Sequence, residues 1–253
     1  MPLTMAHAAA AMPLRRLNLP LVPLICGCLA PDLPYYLGWM ALAPASHHPV
    51  TGTMLAVPLG WAIVLVWWCV RRPWADLAPA AVRRRLPPAA PWRDAHWLRW
   101  SAALLCGAMS HIAWDAWTHA DGLVVRMAPL LAAPWPWYRV LQHGSTVIGG
   151  ALVLHWMWRW YRDTPPSRPD DATLGRRWRQ GGRAWLACAV AGALLLALVR
   201  GAGQPAAILW YGITGGVAAL GAASLLFAGV YGWLGRAPLR RADAPDAPPG
   251  DTA

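Results

Sequence analysis

Apolar runs of membrane-spanning length recur along the chain, separated by short polar segments. Runs over 51–70, 98–118, 144–161 and 206–234 lie near the roughly 20 residues needed to cross a hydrocarbon core, and an almost purely aliphatic run covers 184–200. The run at 206–234 is long enough to tilt. The segments between them are of two kinds. "RRPWADLAPAAVRRRLPPAAPWRD", "RDTPPSRPDDATLGRRWRQGGR" and the closing "RAPLRRADAPDAPPGDTA" are rich in arginine, whereas 41–50, 119–143 and 201–205 carry only Arg126 and Arg139. The positive-inside rule places the first kind in the cytoplasm and the second outside, with one orientation consistent across all five runs.

The first forty residues fit less simply. "LNLPLVPLICGCLA" is apolar but holds two prolines, and "MPLTMAHAAAAMPL" precedes it across Arg15 and Arg16. Two arms of about 14 residues would each reach roughly 21 Å. One arrangement is a helical hairpin entering from outside, its arginines snorkelling toward the inner face. The other is a conventional first span with the N-terminus inside. A cleaved signal peptide fits worse, given the prolines and the mostly apolar residues before the arginines.

Composition names the solvent. Hydrophobic residues make up 57% of the chain and charged residues 13%, too apolar a balance for an ordinary soluble domain. The basic residues are all Arg and the acids all Asp, so carboxylate chemistry falls to aspartate alone. The net charge of +11 would suit nucleic acid, but the arginines cluster in short loops, which is the pattern of membrane topology. Cys26, Cys28, Cys69, Cys106 and Cys188 lie in apolar segments with no CxxC pair and read as packing residues. Many of the 19 tryptophans sit near the ends of runs, as interfacial anchors do.

Against this background "SHIAWDAWTHADG" at 110–122 stands out. Positions four apart share a helix face, so His111, Asp115 and His119 form one stripe. With the topology above, Asp32, His48, Asp115, His119 and His143 all fall at one end of the bundle. Eight of the eleven aspartates instead sit among cytoplasmic arginines or in the tail. Imidazole and carboxylate ligate zinc and similar divalent ions, and an ion offsets the cost of placing Asp at membrane depth. His111 and His119 are about 12 Å apart along a straight helix, too far for one ion, while Asp115 between them could bridge two. A plainer account has His111 and Asp115 hydrogen-bonded within the bundle and His119 with Asp121 capping the helix. It leaves Asp32, His48 and His143 unexplained. His96 and His155 read as structural, and His47 is ambiguous beside His48.

The ordered set "MPLTMAHAAAAMPLRR", "APDLPYY", "HHPVTG" before a run containing "PLG", "SHIAWDAWTHADG" and "YRVLQHGSTVIGG" resembles family 4184 of the domains of unknown function, over about residues 1–160. It is also similar to inner-membrane metal-dependent hydrolases and, more remotely, to the zinc-dependent phospholipase C and nuclease superfamily. The resemblance implies a multi-pass bacterial membrane protein and nominates His7, Asp32, His48, His111, Asp115, His119 and His143 as metal ligands. Two departures stand. The usual Thr-His-Ser reads His47-His48-Pro49 here, and the Glu that often follows the late His by four positions is Val147.

These readings give an all-α integral membrane bundle of about five or six transmembrane segments, the first a candidate re-entrant hairpin. A membrane domain at 1–161 carries the site, an Arg-rich linker spans 162–183, a helix pair spans 184–235 and a disordered tail spans 236–253. The expected function is metal-dependent hydrolysis of a phosphoester or related bond in a membrane-associated, lipid-like substrate. Asp115 and His119 are the catalytic candidates, zinc is the expected ion, and Arg126 and Arg139 are candidate anion contacts. The expected setting is the bacterial inner membrane, with the site near the external face, the lipid bilayer as partner and no nucleic acid. The competing class is a transporter or scaffold whose His/Asp cluster conducts ions or stabilises the fold.

Overall fold

Proline and glycine decide where the helices start and how closely they pack. The computed structural model describes residues 4–87, 96–166 and 172–234, all in helices, turns and short connections, with no strand among them. The expected tail at 236–253 lies outside the described residues. The helices are α1 Thr4–His7, α2 Ala11–Leu14, α3 Leu21–Leu29, α4 Leu33–Tyr36, α5 Ala43–His47, α6 Pro49–Leu77, α7 Ala80–Arg83, α8 Trp97–Thr118, α9 Leu123–Met127, α10 Trp137–Asp163, α11 Arg176–Gly201 and α12 Pro205–Leu234.

Among the described residues three helices are long and apolar enough to cross a membrane: Pro49–Leu77, Arg176–Gly201 and Pro205–Trp233. In the most apolar stretch of α11 only 11% of residues are buried, an outward apolar surface that suits hydrocarbon better than water. The protein is a membrane protein by this measure. The runs at 98–118 and 144–161 were also expected to span. Their helices, α8 and α10, have 22 and 27 residues, but neither combines that length with enough apolarity, because each carries polar side chains along its faces.

The chain divides into two compact units, one of 1–67 and 88–165 and the other of 68–87 and 166–253. In the first, the opening residues form a helical hairpin. One arm runs through α1, a 3-10 turn, α2 and a second 3-10 turn, Arg15–Leu17, and Asn18 reverses the chain in a left-handed conformation (φ 57°) before α3. The Arg99 guanidinium donates to the Asn18 carbonyl at that reversal, and Arg15 and Arg16 are exposed beside it. Leu24 and Cys28 of α3 pack with Ala11 and Ala103, while Cys26, Val64 and Leu104 form a second buried group. All five cysteines are free; Cys26 and Cys28 are buried in this packing, whereas Cys69 and Cys188 are exposed.

The contact between α3 and α8 is close enough to exclude side chains at its centre. A Cβ on Gly27 would stand 2.2 Å from the Leu104 carbonyl oxygen, and one on Gly107 would stand 2.3 Å from that of Leu24. Glycine is the residue that lets two backbones approach so far. Further on, Gly149 of α10 similarly abuts Ala6, where a Cβ would meet the Ala6 carbonyl oxygen at 2.8 Å.

In the second unit α11 and α12 pack as a hairpin turned by Ala202 (φ 44°) and Gly203 (φ 79°). The last turn of α6 is held there by two arginines. Arg83 donates to the carbonyls of Asp76 and Ala78, and Arg183 donates to Leu77, which satisfies carbonyls a helix end otherwise leaves open. Asp76 itself, read from sequence as a loop residue among arginines, is buried and accepts from the Leu174 amide at 3.0 Å and the Tyr231 hydroxyl at 3.2 Å.

Replacing Gly107 or Gly27 with valine is expected to destabilise the protein by at least about 1–3 kcal/mol, the usual cost of overpacking. Gly150→Ala, whose Cβ meets nothing within 4 Å, should leave the unfolding midpoint unchanged. Thermal unfolding in detergent would measure both.

Candidate metal centre

The α3–α8 crossing brings the Cys28 carbonyl beside His111, and their hydrogen bond at 2.8 Å fixes the imidazole. A carbonyl can only accept, so Nδ1 carries the proton and the Nε2 of a neutral ring is a bare lone pair. That lone pair lies 3.2 Å from Asp115 Oδ2 and 3.7 Å from Asp32 Oδ1. His47, the last residue of α5, is fixed in the same way. Its Nδ1 stands 2.9 Å from the Ala43 carbonyl, so Nε2 faces Asp32 Oδ1 at 3.1 Å and Asp115 Oδ2 at 3.6 Å.

Four ligand-capable atoms thus close a ring: Asp32 Oδ1, His47 Nε2, Asp115 Oδ2 and His111 Nε2, with neighbours 3.1 to 3.7 Å apart. Two ligand atoms bound at about 2.1 Å to one tetrahedral ion stand about 3.4 Å apart. Adjacent atoms of the ring have about that spacing. Two carboxylates facing two lone pairs in a buried site need positive charge between them, from protons or from a cation. Hydrogen-bond geometry weighs against protons alone, because His7 Nε2, His111 Nε2 and Asp115 Oδ1 are buried with no hydrogen-bond partner. Buried polar atoms are seldom left so.

Asp115 offers its second oxygen to a different pair. Oδ1 lies 3.6 Å from His7 Nε2 and 3.5 Å from His119 Nδ1. His7 stacks on His111 with ring centroids 3.8 Å apart. Among the described residues two groups are compact enough to hold an ion, with every ligand atom within 4.8 Å of the others: His7 with His111 and Asp115, and Asp32 with His47 and His111. His119 adjoins them through Asp115 alone. It caps α8 in an extended conformation (φ −119°, ψ 145°), and the Gln142 amide nitrogen lies 3.5 Å from its Nε2.

Outer contacts hold the carboxylates in place. Buried Thr4 donates to Asp32 Oδ2 and also meets the Tyr36 hydroxyl, and Ser46 donates to the Pro31 carbonyl at 2.8 Å.

The sequence expectation is corrected at two positions. His47, not His48, faces the carboxylates. His48 precedes Pro49, adopts extended backbone (φ −74°, ψ 136°) and turns its Nδ1 to the amides of Val50 and Thr51, capping α6. His143 is exposed, and the neighbouring buried residue, Gln142, is the one that reaches His119. His7, Asp32, His111, Asp115 and His119 lie together in the fold. Thr4 and Gln142 had no metal-ligand chemistry to mark them. His96 and His155 are exposed.

A family model described as Domain of unknown function (DUF4184) matches residues 1–230, a span that includes every residue of the cluster. The chain belongs to this family. The match runs well past the 1–160 over which the motifs resemble it. Comparison with the curated proteins and with the solved structures found no match.

The two adjacent histidines should separate on substitution. His48→Ser keeps an N-cap acceptor and should leave the unfolding midpoint near that of the parent. His47→Ser strips a partner from buried Asp32 and should cost about 1–3 kcal/mol, read by thermal unfolding.

Proposed function

We propose that this protein is a metal-dependent hydrolase of the bacterial inner membrane, cleaving a phosphoester or related bond of a membrane-associated substrate near the external face. The observation that carries the reading is the closed ring of two imidazole nitrogens and two carboxylate oxygens, whose adjacent atoms are spaced as neighbouring ligands of one ion are. Asp32, His47, His111 and Asp115 Oδ2 would hold one divalent ion, with zinc the best match to this donor set. Asp115 Oδ1 and His7, joined by His119 from the rim, would form a more open second position. An ion so held supplies a polarised ester oxygen and more acidic water.

The chain's own residues supply the rest. Asp115 keeps its two oxygens pointed at different imidazole pairs, while the Cys28 and Ala43 carbonyls keep the His111 and His47 protons on Nδ1. Partly exposed His119, steadied by Gln142, is placed to pass a proton to the leaving alcohol as water oxygen joins phosphorus and the ester bond breaks. Arg126 and Arg139 are exposed and available to an anionic group.

Charge supports the orientation. Arg15, Arg16 and Arg99 gather where the hairpin reverses, and His111 is twelve positions further along α8, about 18 Å away. By the positive-inside rule the arginine end faces the cytoplasm and the cluster faces out. Cysteines introduced at Ala81 and Ala132 test this against the labelling of the parent protein. Ala81→Cys should react with an impermeant thiol reagent only from the cytoplasm, and Ala132→Cys only from outside.

Metal content gives the direct test. Protein purified in detergent should retain a divalent ion, and Asp115→Ala and His47→Ala should lose it, while His48→Ala and His143→Ala keep it. Thr4→Val, which removes a hydrogen bond to a ligating carboxylate, should weaken affinity by about 10–100-fold. Chelation should abolish phosphoester hydrolysis and added metal should restore it. A metal-loaded, folded protein that cleaves no phosphoester would make the cluster a structural or transport element instead.

A further inference from the structure

His7 belongs to two places at once. Its Nε2 faces Asp115 in the cluster, and its side chain also lines a cavity of about 590 Å³, within the range of small-molecule sites. The cavity lies within the first unit, between the first arm of the hairpin, α8 and α10. Ala6, Ala9 and Pro13 give one wall, a single stripe along the arm, and Gly144, Ile148 and Leu152 give another along α10. From Gly144 to Leu152 the wall runs about 12 Å. Gly144 matters because it presents no side chain, and a Cβ there would meet nothing within 4 Å. The space is therefore long and mostly apolar, with His7, Ser110 and Ser145 as polar side chains on its lining.

We propose that this cavity receives a hydrocarbon chain of the substrate, so that the protein acts on a single-chain amphiphile whose anionic head lies at the His/Asp cluster. An apolar, elongated lining accommodates a hydrocarbon chain, and an anionic head complements the cations that Asp115 and its imidazoles would hold. This rests on the hydrolytic reading above, and it adds that reactivity rises with chain length because the chain is seated beside His7.

The test uses the full chain in phosphatidylcholine nanodiscs with two sets of probes. Hexadecylphosphonate, which resists hydrolysis, should bind at least 10-fold more tightly than methylphosphonate or inorganic phosphate. Gly144→Phe, which fills the cavity, should abolish that advantage while leaving metal content and methylphosphonate binding unchanged. Gly150→Phe, on the same helix but not lining the cavity, should retain it, and Leu152→Trp, on the same wall as Gly144, should reduce it if Gly144→Phe fails to fold. Equal hexadecylphosphonate affinity in the parent and a folded cavity-filling variant would overturn the proposal, as would equal binding of all three probes by the parent. Alkyl para-nitrophenyl phosphodiesters then address the chemistry, with the hexadecyl ester expected to exceed the ethyl ester at least 10-fold in kcat/KM in the parent alone. Chain-dependent binding without hydrolysis of any ester would sink the hydrolytic reading and leave the chain site standing. Hydrolysis that is indifferent to chain length would do the reverse.

Discussion

The hydrogen bond from His111 Nδ1 to the Cys28 carbonyl is the contact on which the centre depends. It exists because Gly27 and Gly107 let α3 and α8 approach until backbone meets backbone. With one ring nitrogen committed to that carbonyl, the other is left as a lone pair in a buried space shared with two carboxylates. Membrane helices gain little from the hydrophobic effect against one another, so close packing and buried polar contacts must supply much of their association. Here the same crossing supplies both. A larger residue at either glycine would separate the helices and move the imidazole away from Asp115 as well as loosening the pair.

Asp115 divides the centre. One carboxylate oxygen faces His47 and His111, the other His7 and His119, so a single side chain on α8 ties the hairpin, α5 and the end of α8 itself into one cluster. The i, i+4 spacing of His111, Asp115 and His119 is what allows it. His111 lies below the carboxylate and His119 above it, where the helix ends and the chain turns extended.

The fold and most of the cluster were legible because helix periodicity and residue chemistry agree along 110–122, and because isolated Asp and His residues in apolar runs are conspicuous. The errors were each one position wide. Choosing between His47 and His48 required weighing what Pro49 does to its predecessor, since a residue held extended before a helix tends to spend its side chain capping that helix. Choosing Gln142 over His143 required the phase of α10, which Gly149 marks only once Ala6 is known to lie against it. Thr4 and Asp76 were beyond sequence reasoning for a different cause. Each takes its meaning from partners that come together only in the folded chain, Asp32 and Tyr36 for one, Leu174 and Tyr231 for the other. The apolarity of α8 and α10 was overestimated because long runs rich in Ala and Trp look uniform until their polar positions are weighed.

Building the centre from a residue as early as His7 has a consequence for synthesis. His7 meets Asp115 and its arm packs on α10, so the opening segment leaves the ribosome more than a hundred positions before these two partners. Contacts so distant in sequence carry a large loop-closure cost and form late. During insertion the arm must wait, with its imidazole unengaged, until α8 and α10 are in place. Closure of the cluster therefore marks a completed first unit, and a chain arrested before α10 lacks the surface against which Ala6 and His7 are seated.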